Sequence, residues 1–374
     1  MSRKGENIRK RRDGRYEARY KSGFNKNGMP IYKSIYGRTY SEARNNRLSF
    51  LSDNRKLKDK GNITIRDVSV QWLENKKLEV KKSTYSKYYD TVYNHIIQGL
   101  GGIKICNMNQ ALINQFVGEK SRKGNSVNQN PLKSKTIKSI INVLKQILKF
   151  TEKQYKCQRL NFEYIIPKEE STEIQTLSRD EQTRLINYLI KNPDRKNLAL
   201  LICLNTGLRI GEICALRYGN VNQYRSCVCV RKTMQRIKNT AGDLDGKTII
   251  NIDEPKSKTS MRDIPVKKFL IDEINLFKGN ENDFLLTGDQ FKYVEPRSLE
   301  NHFKRVLKEN RIKKLNFHAL RHTFATNMIE AGCDPKTLSE LLGHADVQLT
   351  LKTYVHSSYE LKQKSIEKLP EYCA

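Results

Sequence analysis

The sequence has 374 residues, more than one domain usually holds, so two or three compact units are expected. Lys and Arg outnumber Asp and Glu by 70 to 40, which gives a net charge of +30. The excess is +12 over residues 1–60, +10 over residues 61–172 and +8 over the remainder. This spread indicates a polyanionic partner, most simply nucleic acid, and excludes a neutral enzyme with one basic tail.

Membrane insertion and disulfide chemistry are also excluded by the composition. No stretch approaches the roughly eighteen apolar residues of a membrane helix, and the first residues lack the apolar core of a signal peptide. The 8 cysteines are scattered without a paired CxxC motif, so neither a disulfide framework nor structural zinc is expected. We therefore expect a cytoplasmic protein with reduced thiols.

Residues 1–60 predict a three-stranded sheet with one backing helix. Asp13-Gly14 is a turn signal between two strands, Ile31 to Tyr36 supplies a third strand, and Ser41 starts the helix. The second strand alternates with a period of two, which gives an apolar face and a charged face. These faces carry Tyr16, Ala18 and Tyr20 on one side and Arg15, Glu17 and Arg19 on the other.

Residues 61–167 predict an all-helical domain. Thr64 can cap its first helix, and Asn107 or Asn109 can cap a later one. From Ser134 the apolar residues recur at i, i+3, i+4 and i+7, the clearest helical pattern in the chain. The polar face of this helix is rich in lysine, which indicates either a solvated surface or a DNA-binding one.

From residue 174 the sequence predicts a mostly helical domain with one small antiparallel sheet. Ser178 opens it with a capping box, and helices continue through Leu216. Helices return after about Phe269. The strands and the turn expected between these helical parts are Cys227–Met234, Thr248–Ile252, the turn Pro255–Ser260, and Asp263–Val266.

Several common catalytic motifs are missing from the sequence. It contains no GxxxxGK[ST] loop, no GxGxxG after a strand, no HExxH and no GxSxG. The carboxylates show no paired pattern of the kind that two-metal nucleases use. A basic protein of this type must stabilise phosphate charge with its own cationic side chains, so no cofactor and no metal are expected.

Two arginines lie in segments with local order. Arg209 lies at a junction between two predicted helices, where Glu212 can orient its guanidinium or complete a helix cap. A purely structural Arg–Glu pair is the alternative. His318 and Arg321 are three residues apart and therefore share a helix face, although an HxxR pattern alone is common.

Histidine, lysine and tyrosine candidates follow. His344 comes directly after a glycine that ends a helix, where a capping role is the alternative. Lys256 and Lys258 lie on the turn Pro255–Ser260, which we expect to be the tip of a hairpin. They are either solvated or mobile enough to reach a leaving oxygen of bound DNA. Tyr354 is flanked by threonine and apolar residues, and helix packing is its alternative role.

Taken together, these segments resemble the catalytic domain of the tyrosine recombinases. The resemblance covers about residues 174–360 in TGLRIGE, PKSKTSMRDIP, FHALRHTFAT, LLGHADVQLT and LKTYVH. It implies an α-rich catalytic domain over residues 174–374, with a C-terminal tail, after a helical SAM-like core-binding domain over residues 61–167. Residues 1–60 resemble the arm-type DNA-binding domain of integrases from conjugative transposons and related phages.

The resemblance also implies how DNA is cut. Tyr354 would attack the scissile phosphate, which leaves a 3′-phosphotyrosyl link and a 5′-hydroxyl. Arg209 and Arg321 would bind the non-bridging oxygens, with Glu212 in support. Tyr359 competes weakly as nucleophile, because five helical residues turn it about 140° away from Tyr354.

Proton transfer would fall to lysine and histidine. Lys258 rather than Lys256 would be the general acid, since the lysine of the family precedes the threonine of this turn. His318 would be the base or proton shuttle near Tyr354, and His344 would donate a hydrogen bond to the phosphate. Neither metal nor nucleotide is implied, because the phosphotyrosyl link conserves the bond energy.

The resemblance further implies the partners of the protein. Double-stranded DNA would be bound at core and arm attachment sites, and a homotetramer would form on synapsed DNA. A possible excisionase, a DNA-bending host factor and docking of a C-terminal helix on a neighbour complete the expectation. The residues expected to face DNA are Arg15 and Arg19 on the sheet, and Lys133, Lys135 and Lys138 on the helix from Ser134.

Three alternatives stay open at this point. A chromosome- or plasmid-dimer-resolving recombinase has the same chemistry, but normally lacks the N-terminal sheet. A type IB topoisomerase shares the nucleophile and the cationic cluster, but relaxes supercoils as a monomer. A non-catalytic DNA-binding regulator on the same fold is the third, and the complete set of polar residues argues against it.

Overall fold

The computed structural model describes residues 7–24, 29–48, 62–124, 130–155, 160–166, 174–240, 247–255, 258–354 and 367. The chain divides into two compact units, residues 1–169 and residues 170–374. Helices dominate both units, and the sheets are small and antiparallel, so the predicted fold class is confirmed. Among the described helices, none combines the length and the apolar character needed to cross a bilayer.

The first unit begins with an antiparallel sheet in the order β1 (Ile8–Lys10), β2 (Tyr16–Phe24) and β3 (Pro30–Gly37). A helix, α1, covers residues 40–48. The core beneath the sheet is small, because it is built from Ile8, Ala18 and Ala43. Thr39 rather than Ser41 begins α1, since its hydroxyl accepts a hydrogen bond from the backbone N–H of Glu42 at 3.1 Å.

The rest of the first unit is helical, as predicted. Thr64 forms a capping box with Asp67, and the Asn109 side chain caps a later helix through the N–H of Leu112 at 3.0 Å. Trp72 lies in a core that is otherwise mainly Ile, Leu and Val. The helices are α2 (Ile65–Glu79), α3 (Lys82–Thr91), a π-helical turn (Val92–Ile96), α4 (Ile97–Leu100), a 3₁₀ turn (Ile105–Asn107), α5 (Gln110–Lys123) and α6 (Ser134–Tyr155).

The second unit is organised around a buried helix. Residues Leu198–Leu204 of this helix, α8, are all at most 5% exposed, and α8 contacts α7, α9, α10, α11 and α12. The Ser178 capping box is present at the start of α7. The helices are α7 (Arg179–Lys191), α8 (Arg195–Thr206), α9 (Ile210–Cys214), α10 (Lys268–Asn275), α11 (Pro296–Glu309), α12 (His318–Glu330), α13 (Pro335–Leu342) and α14 (Val347–Tyr354).

The strands of the second unit differ from the prediction. One sheet has the order β4 (Val221–Asn222), β5 (Cys227–Val230) and β8 (Arg262–Pro265), and β6 (Thr233–Lys238) pairs with β7 (Thr248–Asp253) in a second sheet. The predicted single strand Cys227–Met234 is therefore broken. Arg231 ends the β5–β8 ladder, because its guanidinium turns back to the carbonyl oxygens of Val230 and Arg262 at 3.2 Å each.

The lysine-rich turn is consequently not the tip of a hairpin. The strands on either side of it, β7 and β8, pair with β6 and β5 and not with each other. Lys258 begins a short 3₁₀ turn, Lys258–Ser260, that connects the two sheets. Lys256 and the side chain of Lys258 lie outside the described residues.

Candidate active site

A buried carboxylate organises the site. Glu212 is 3% exposed, and its Oε1 accepts a hydrogen bond from Arg209 Nη1 at 2.7 Å. Its Oε2 accepts a hydrogen bond from Arg262 Nη2 at 3.0 Å. Burial alone would raise the pKa of Glu212, but the charges and hydrogen bonds of Arg262 and Arg209 outweigh it, so the pKa is lowered. Glu212 is thus an anion that fixes two guanidinium groups.

The turn at the end of α13 supplies carbonyl acceptors to Arg209 and Arg321. Gly343 ends α13 in the left-handed region, with φ of 65°, and its carbonyl accepts from Arg209 Nη2 at 3.2 Å. The preceding carbonyl, that of Leu342, accepts from Arg321 Nη2 at 2.7 Å. Arg209 and Arg321 therefore bind neighbouring carbonyl groups of one turn, although 112 positions separate them in sequence.

Arg321 is the most deeply buried cation of the site. It is 1% exposed, and its Nη1 donates to the carbonyl oxygen of Gly207, at the end of α8, at 2.9 Å. Burial and the charge of Arg209 lower its pKa to about 9, which still leaves it charged at neutral pH. Arg209 and Arg262 bind the carboxylate of Glu212, and the charge of this carboxylate also acts on Arg321, so three guanidinium groups share one anion among the described side chains. The excess of positive charge favours an anion.

The same excess keeps two histidines neutral. Burial and the charges of Arg321, Arg209 and Arg262 lower the pKa of His344 to about 4. Displacement of water by the surrounding protein, followed by the charges of His322, Arg321 and Arg209, lowers the pKa of His318 to about 4, although the residue as a whole is exposed. Each ring therefore carries one N–H and one lone pair at neutral pH.

His344 is fixed between two elements. Its backbone N–H donates to the carbonyl oxygen of Ser339 at 3.0 Å, which completes the end of α13. Its Nδ1 lies 2.8 Å from Oγ1 of Thr350 on α14, and Thr350 is fully buried. The capping role and a role for the ring are therefore compatible, because the cap uses only the backbone.

Tyr354 closes the site from the end of α14. Its Oη lies 2.7 Å from Nδ1 of His322 on α12. Burial raises the pKa of Tyr354, and the positive charges of Arg321 and Arg209 partly offset this. The phenol therefore retains its proton at neutral pH and lies within the field of both arginines.

The neighbour of the Tyr354 hydroxyl differs from the one predicted. The sequence interpretation put His318 near Tyr354, whereas the hydroxyl bonds to His322, one helical turn further along α12. His318 instead lies beside His322, with ring centroids 4.6 Å apart and the rings nearly perpendicular. Both histidines lie on one face of α12, because His322 follows His318 by four positions, and the packing of α14 on α12 decides which of them the hydroxyl meets.

One group of side chains has a metal-ligand composition. The ligand atoms of Cys227, Cys229 and Asp263 all lie within 4.8 Å of one another. Asp263, however, is paired with Arg231 at 2.5 Å. The Cys229 thiol also hydrogen-bonds to Asp263, so this carboxylate already has two protein partners. We therefore assign no metal to these residues.

The comparisons with known proteins agree with this geometry. The profile of the phage integrase family matches residues 175–360, which include all the cleft residues described above. The profile of the phage integrase N-terminal SAM-like domain matches residues 64–121. The chain belongs to the phage integrase family. It is a tyrosine recombinase, an enzyme that cuts and rejoins DNA, and double-stranded DNA is its substrate.

Relatives of this recombinase have two kinds of name. A tyrosine recombinase XerC-like protein of Caldanaerobacter subterraneus is 28% identical over 93% of both chains. The transposase from transposon Tn916 of Enterococcus faecalis is 26% identical over 46% of this chain and 44% of its own. Among solved structures, the Tn1549 transposon integrase in complex with circular intermediate DNA shares the fold, with a TM-score of 0.65 and 21% identity over 82% of this chain and all of its own.

Two polar residues of the cleft were missed in the sequence interpretation. Arg262 lies in the segment PKSKTSMRDIP, but only its burial and its bond to Glu212 reveal it. His322 lies directly after Arg321 in FHALRHTFAT, and its spacing of four from His318 was the available signal. Both side chains point towards partners that are at least 32 positions away in sequence.

The N-terminal sheet of the recombinase presents a basic face. Arg15 is exposed and bonds to Asp13 at 2.9 Å, and Arg19 is exposed beside Glu17 at 3.4 Å. Glu17 was placed on the charged face, yet it is 3% exposed, because Arg9, Arg19 and Ser34 surround its carboxylate. The hydrogen bonds of Ser34 and Arg9 lower the pKa of Glu17 to about 2. The basic face is therefore built around a buried anion.

The lysines of α6 lie where the helical pattern put them. Lys133 immediately precedes α6, Lys135 and Lys138 lie in its first turns, and all three are exposed. Their exposure is compatible with a solvated surface and with a DNA-binding one. Their role in DNA binding stays a prediction.

Proposed function

We propose that this recombinase is the integrase of a mobile element, and that it integrates and excises that element through a covalent bond between Tyr354 and DNA. The observation that carries the assignment of residues is the single cleft in which Arg209 and Arg321 bind one turn while their charges act on the Tyr354 phenol. It supports a nucleophile next to the groups that we propose to bind the phosphate.

The first step is attack of Tyr354 Oη on the scissile phosphorus. Guanidinium groups of Arg209 and Arg321 bind the non-bridging oxygens and stabilise the charge of the pentavalent transition state. Glu212 keeps Arg209 in place, and the ring of neutral His344 donates a hydrogen bond to the phosphate. The products are a 3′-phosphotyrosyl link and a 5′-oxygen that leaves.

The 5′-oxygen is a poor leaving group unless it is protonated. We assign the general acid to Lys258 and retain Lys256 as its competitor. The turn Lys258–Ser260 supports this, because Ser260 Oγ donates to the carbonyl oxygen of Gly343, the same oxygen that binds Arg209, at 3.4 Å. A second 5′-hydroxyl then attacks the phosphotyrosyl link, so the exchange needs neither a metal nor a nucleotide.

A nicked suicide substrate tests this assignment. DNA from the flanks of the gene is nicked next to the cleavage site, so that the cut end diffuses away and the covalent adduct accumulates. We expect the adduct with the unmodified protein and with Tyr359→Phe, but not with Tyr354→Phe. An adduct that persists in Tyr354→Phe overturns the choice of nucleophile. Absence of any adduct favours a non-catalytic regulator.

The domain organisation is part of the proposal. Residues 1–60 would bind distal arm sites, residues 61–167 and 174–374 would bind the core site, and four copies would assemble on two synapsed duplexes. The SAM-like match at residues 64–121 and the basic face of the N-terminal sheet support this division. Excisionase and a DNA-bending host factor are the further partners that we propose.

Deletion of residues 1–60 tests the arm domain. We expect the truncated protein to lose binding to distal sites while it still forms the covalent adduct on a core site. Equal binding to distal sites would remove the arm domain from the proposal.

A chromosome- or plasmid-dimer-resolving recombinase is the second candidate. The XerC-like relative that covers 93% of both chains favours it. A two-site recombination assay in the presence and absence of residues 1–60 separates the candidates, because a resolving enzyme needs no arm sites. Plasmid relaxation without recombination would instead indicate a topoisomerase.

A further inference from the structure

His322 holds the reactive atom of the nucleophile. Its Nδ1 lies 2.7 Å from Tyr354 Oη, and the ring centroids are 5.6 Å apart. His322 lies on α12 and Tyr354 on α14, so this bond joins two helices across the cleft. Among the described residues, His322 is the side chain that forms a hydrogen bond with the Tyr354 hydroxyl.

His318 is one ring further from the phenol. Its ring contacts that of His322 edge to face, with centroids 4.6 Å apart. The three side chains therefore lie in the order His318, His322 and Tyr354. A proton that leaves the phenol along its existing hydrogen bond arrives on His322 and not on His318.

The charge state of His322 suits it to receive that proton. Burial and the neighbouring charge of Arg321 lower the pKa of His322 below its ordinary value. The ring is therefore neutral at pH 7 and has one nitrogen lone pair free to accept. Tyr354 needs such a partner, because burial raises the pKa of its phenol.

We propose that His322 is the general base that accepts the proton of Tyr354 during strand cleavage. This inference rests on the proposed function, because it assumes that Tyr354 is the nucleophile. In the step, the Tyr354 O–H bond breaks and its proton moves to His322 Nδ1. The O–P bond forms, the bond from phosphorus to the 5′-oxygen breaks, and the leaving oxygen takes a proton from Lys258.

The reverse step restores every proton. When a 5′-hydroxyl attacks the phosphotyrosyl link, its proton goes to Lys258, and the departing Tyr354 oxygen takes back the proton from His322. No proton is gained or lost over the full cycle. His318 then serves beside the phosphate and not at the phenol, which agrees with its place among the charges of Arg321 and Arg209.

The variant His322→Asn distinguishes a general base from an anchor, meaning a residue that only positions Tyr354 through a hydrogen bond. The Asn Oδ1 lies near the position of the imidazole Nδ1, so it can accept the Tyr354 hydrogen bond but cannot take the proton. We expect adduct formation on the suicide substrate to slow by about 100-fold or more in both His322→Asn and His322→Ala. If His322 is only an anchor, His322→Asn reacts at the rate of the unmodified protein, and the inference is wrong.

A modified leaving group separates the base from the acid. In a substrate whose 5′-bridging oxygen is replaced by sulfur, the leaving group needs no proton. The slow cleavage of Lys258→Met should therefore recover on the sulfur substrate, whereas His322→Asn should stay slow. Recovery of His322→Asn on that substrate contradicts the role of His322 as the base.

The outcomes also distinguish this inference from the proposed function. If the unmodified protein forms no adduct, or if Tyr354→Phe still does, the proposed function fails first. If only His322→Asn behaves like the unmodified protein, the inference alone fails. If His322→Asn does not bind DNA, a protein with a fluorinated tyrosine at position 354 is used in place of that variant. Its cleavage rate at pH 6 should exceed that of the unmodified protein, because the fluorinated phenol releases its proton more readily. An unchanged rate overturns the inference.

Discussion

Glu212 and Arg262 form an ion pair of 3.0 Å in which the side chains are 3% and 6% exposed. Arg262 also donates to the carbonyl oxygen of Leu341 at 2.5 Å and to that of Ser260 at 3.1 Å. The carboxylate that holds Arg209 is therefore tied to the lysine-bearing turn and to the end of α13. The residues proposed to bind the phosphate and the turn that carries the proposed general acid therefore share one buried anchor with the end of α13.

Replacement of Arg262 should destabilise the protein, because it removes one partner of the buried Glu212 carboxylate. In Arg262→Met, Glu212 keeps its charge with one partner fewer, so we expect the free energy of unfolding to fall by about 3 kcal/mol. Urea unfolding at pH 7 measures this. In the control Arg179→Gln, which breaks an exposed pair with Glu330, the change should stay within about 1 kcal/mol. Equal losses in the two variants would contradict the assigned difference.

The same pair predicts a pH dependence. The pKa of Glu212 is lowered in the folded protein, so its contribution to stability is fully present above its unfolded pKa of about 4.5 and is lost as the pH falls through the lower folded value. We expect the stability difference between the unmodified protein and Glu212→Gln to shrink between pH 5 and pH 3. Urea unfolding across this pH range measures the difference, and a difference that stays constant would contradict the prediction.

Gly343 should resist substitution more than another glycine of the same conformation. Both Gly343 and Gly332 have positive φ, 65° and 85°. A Cβ at Gly343 would lie 3.0 Å from Arg262 Nη1, whereas none of the neighbouring atoms lies within 4 Å of a Cβ at Gly332. Gly332→Ala should therefore cost about 1 kcal/mol from backbone strain alone. Gly343→Ala should cost more and should also slow adduct formation.

Thermal unfolding and the suicide substrate together measure this contrast. Equal losses of stability in Gly343→Ala and Gly332→Ala, together with a normal cleavage rate in Gly343→Ala, would contradict the prediction. The position of the Arg262 side chain would then not depend on the absence of a Cβ at Gly343. The pair is matched because both glycines follow a helix of the second unit and differ in their surroundings.

Local signals in the sequence predicted the helices well. Thr64, Asn109 and Ser178 each satisfy a backbone N–H three residues later, an interaction that the sequence alone encodes. The helix stop before His344 is equally local, because Gly343 adopts the left-handed conformation. Arg209, Arg321 and Tyr354 were predicted as site residues because each lies in a segment that resembles the family.

Long-range pairing was beyond the reach of the sequence. The partners of β7 and β8 could not be predicted, because nothing in Thr248–Asp253 specifies β6 as its neighbour. Arg262 is 50 positions from Glu212, and His322 is 32 positions from Tyr354. That the Tyr354 hydroxyl bonds to His322 and not to His318 has the same origin, since the packing of α14 on α12 decides which of two histidines on one face meets the phenol.

Binding of core-site DNA should draw protons into the cleft below neutral pH. The pKa of His318 and that of His344 are about 4 in the free protein, because burial and cationic side chains disfavour their charged forms. A phosphate between Arg209 and Arg321 adds negative charge, which raises both pKa values. Binding near pH 5.5 should therefore take up protons and tighten as the pH falls, with no such uptake near pH 8.

Calorimetry in buffers of different ionisation enthalpy counts these protons. The double variant His318→Asn/His344→Asn should take up fewer on the same DNA, while DNA of unrelated sequence should show little difference between the two proteins. Identical uptake by both proteins on core-site DNA would mean that the phosphate does not reach these histidines.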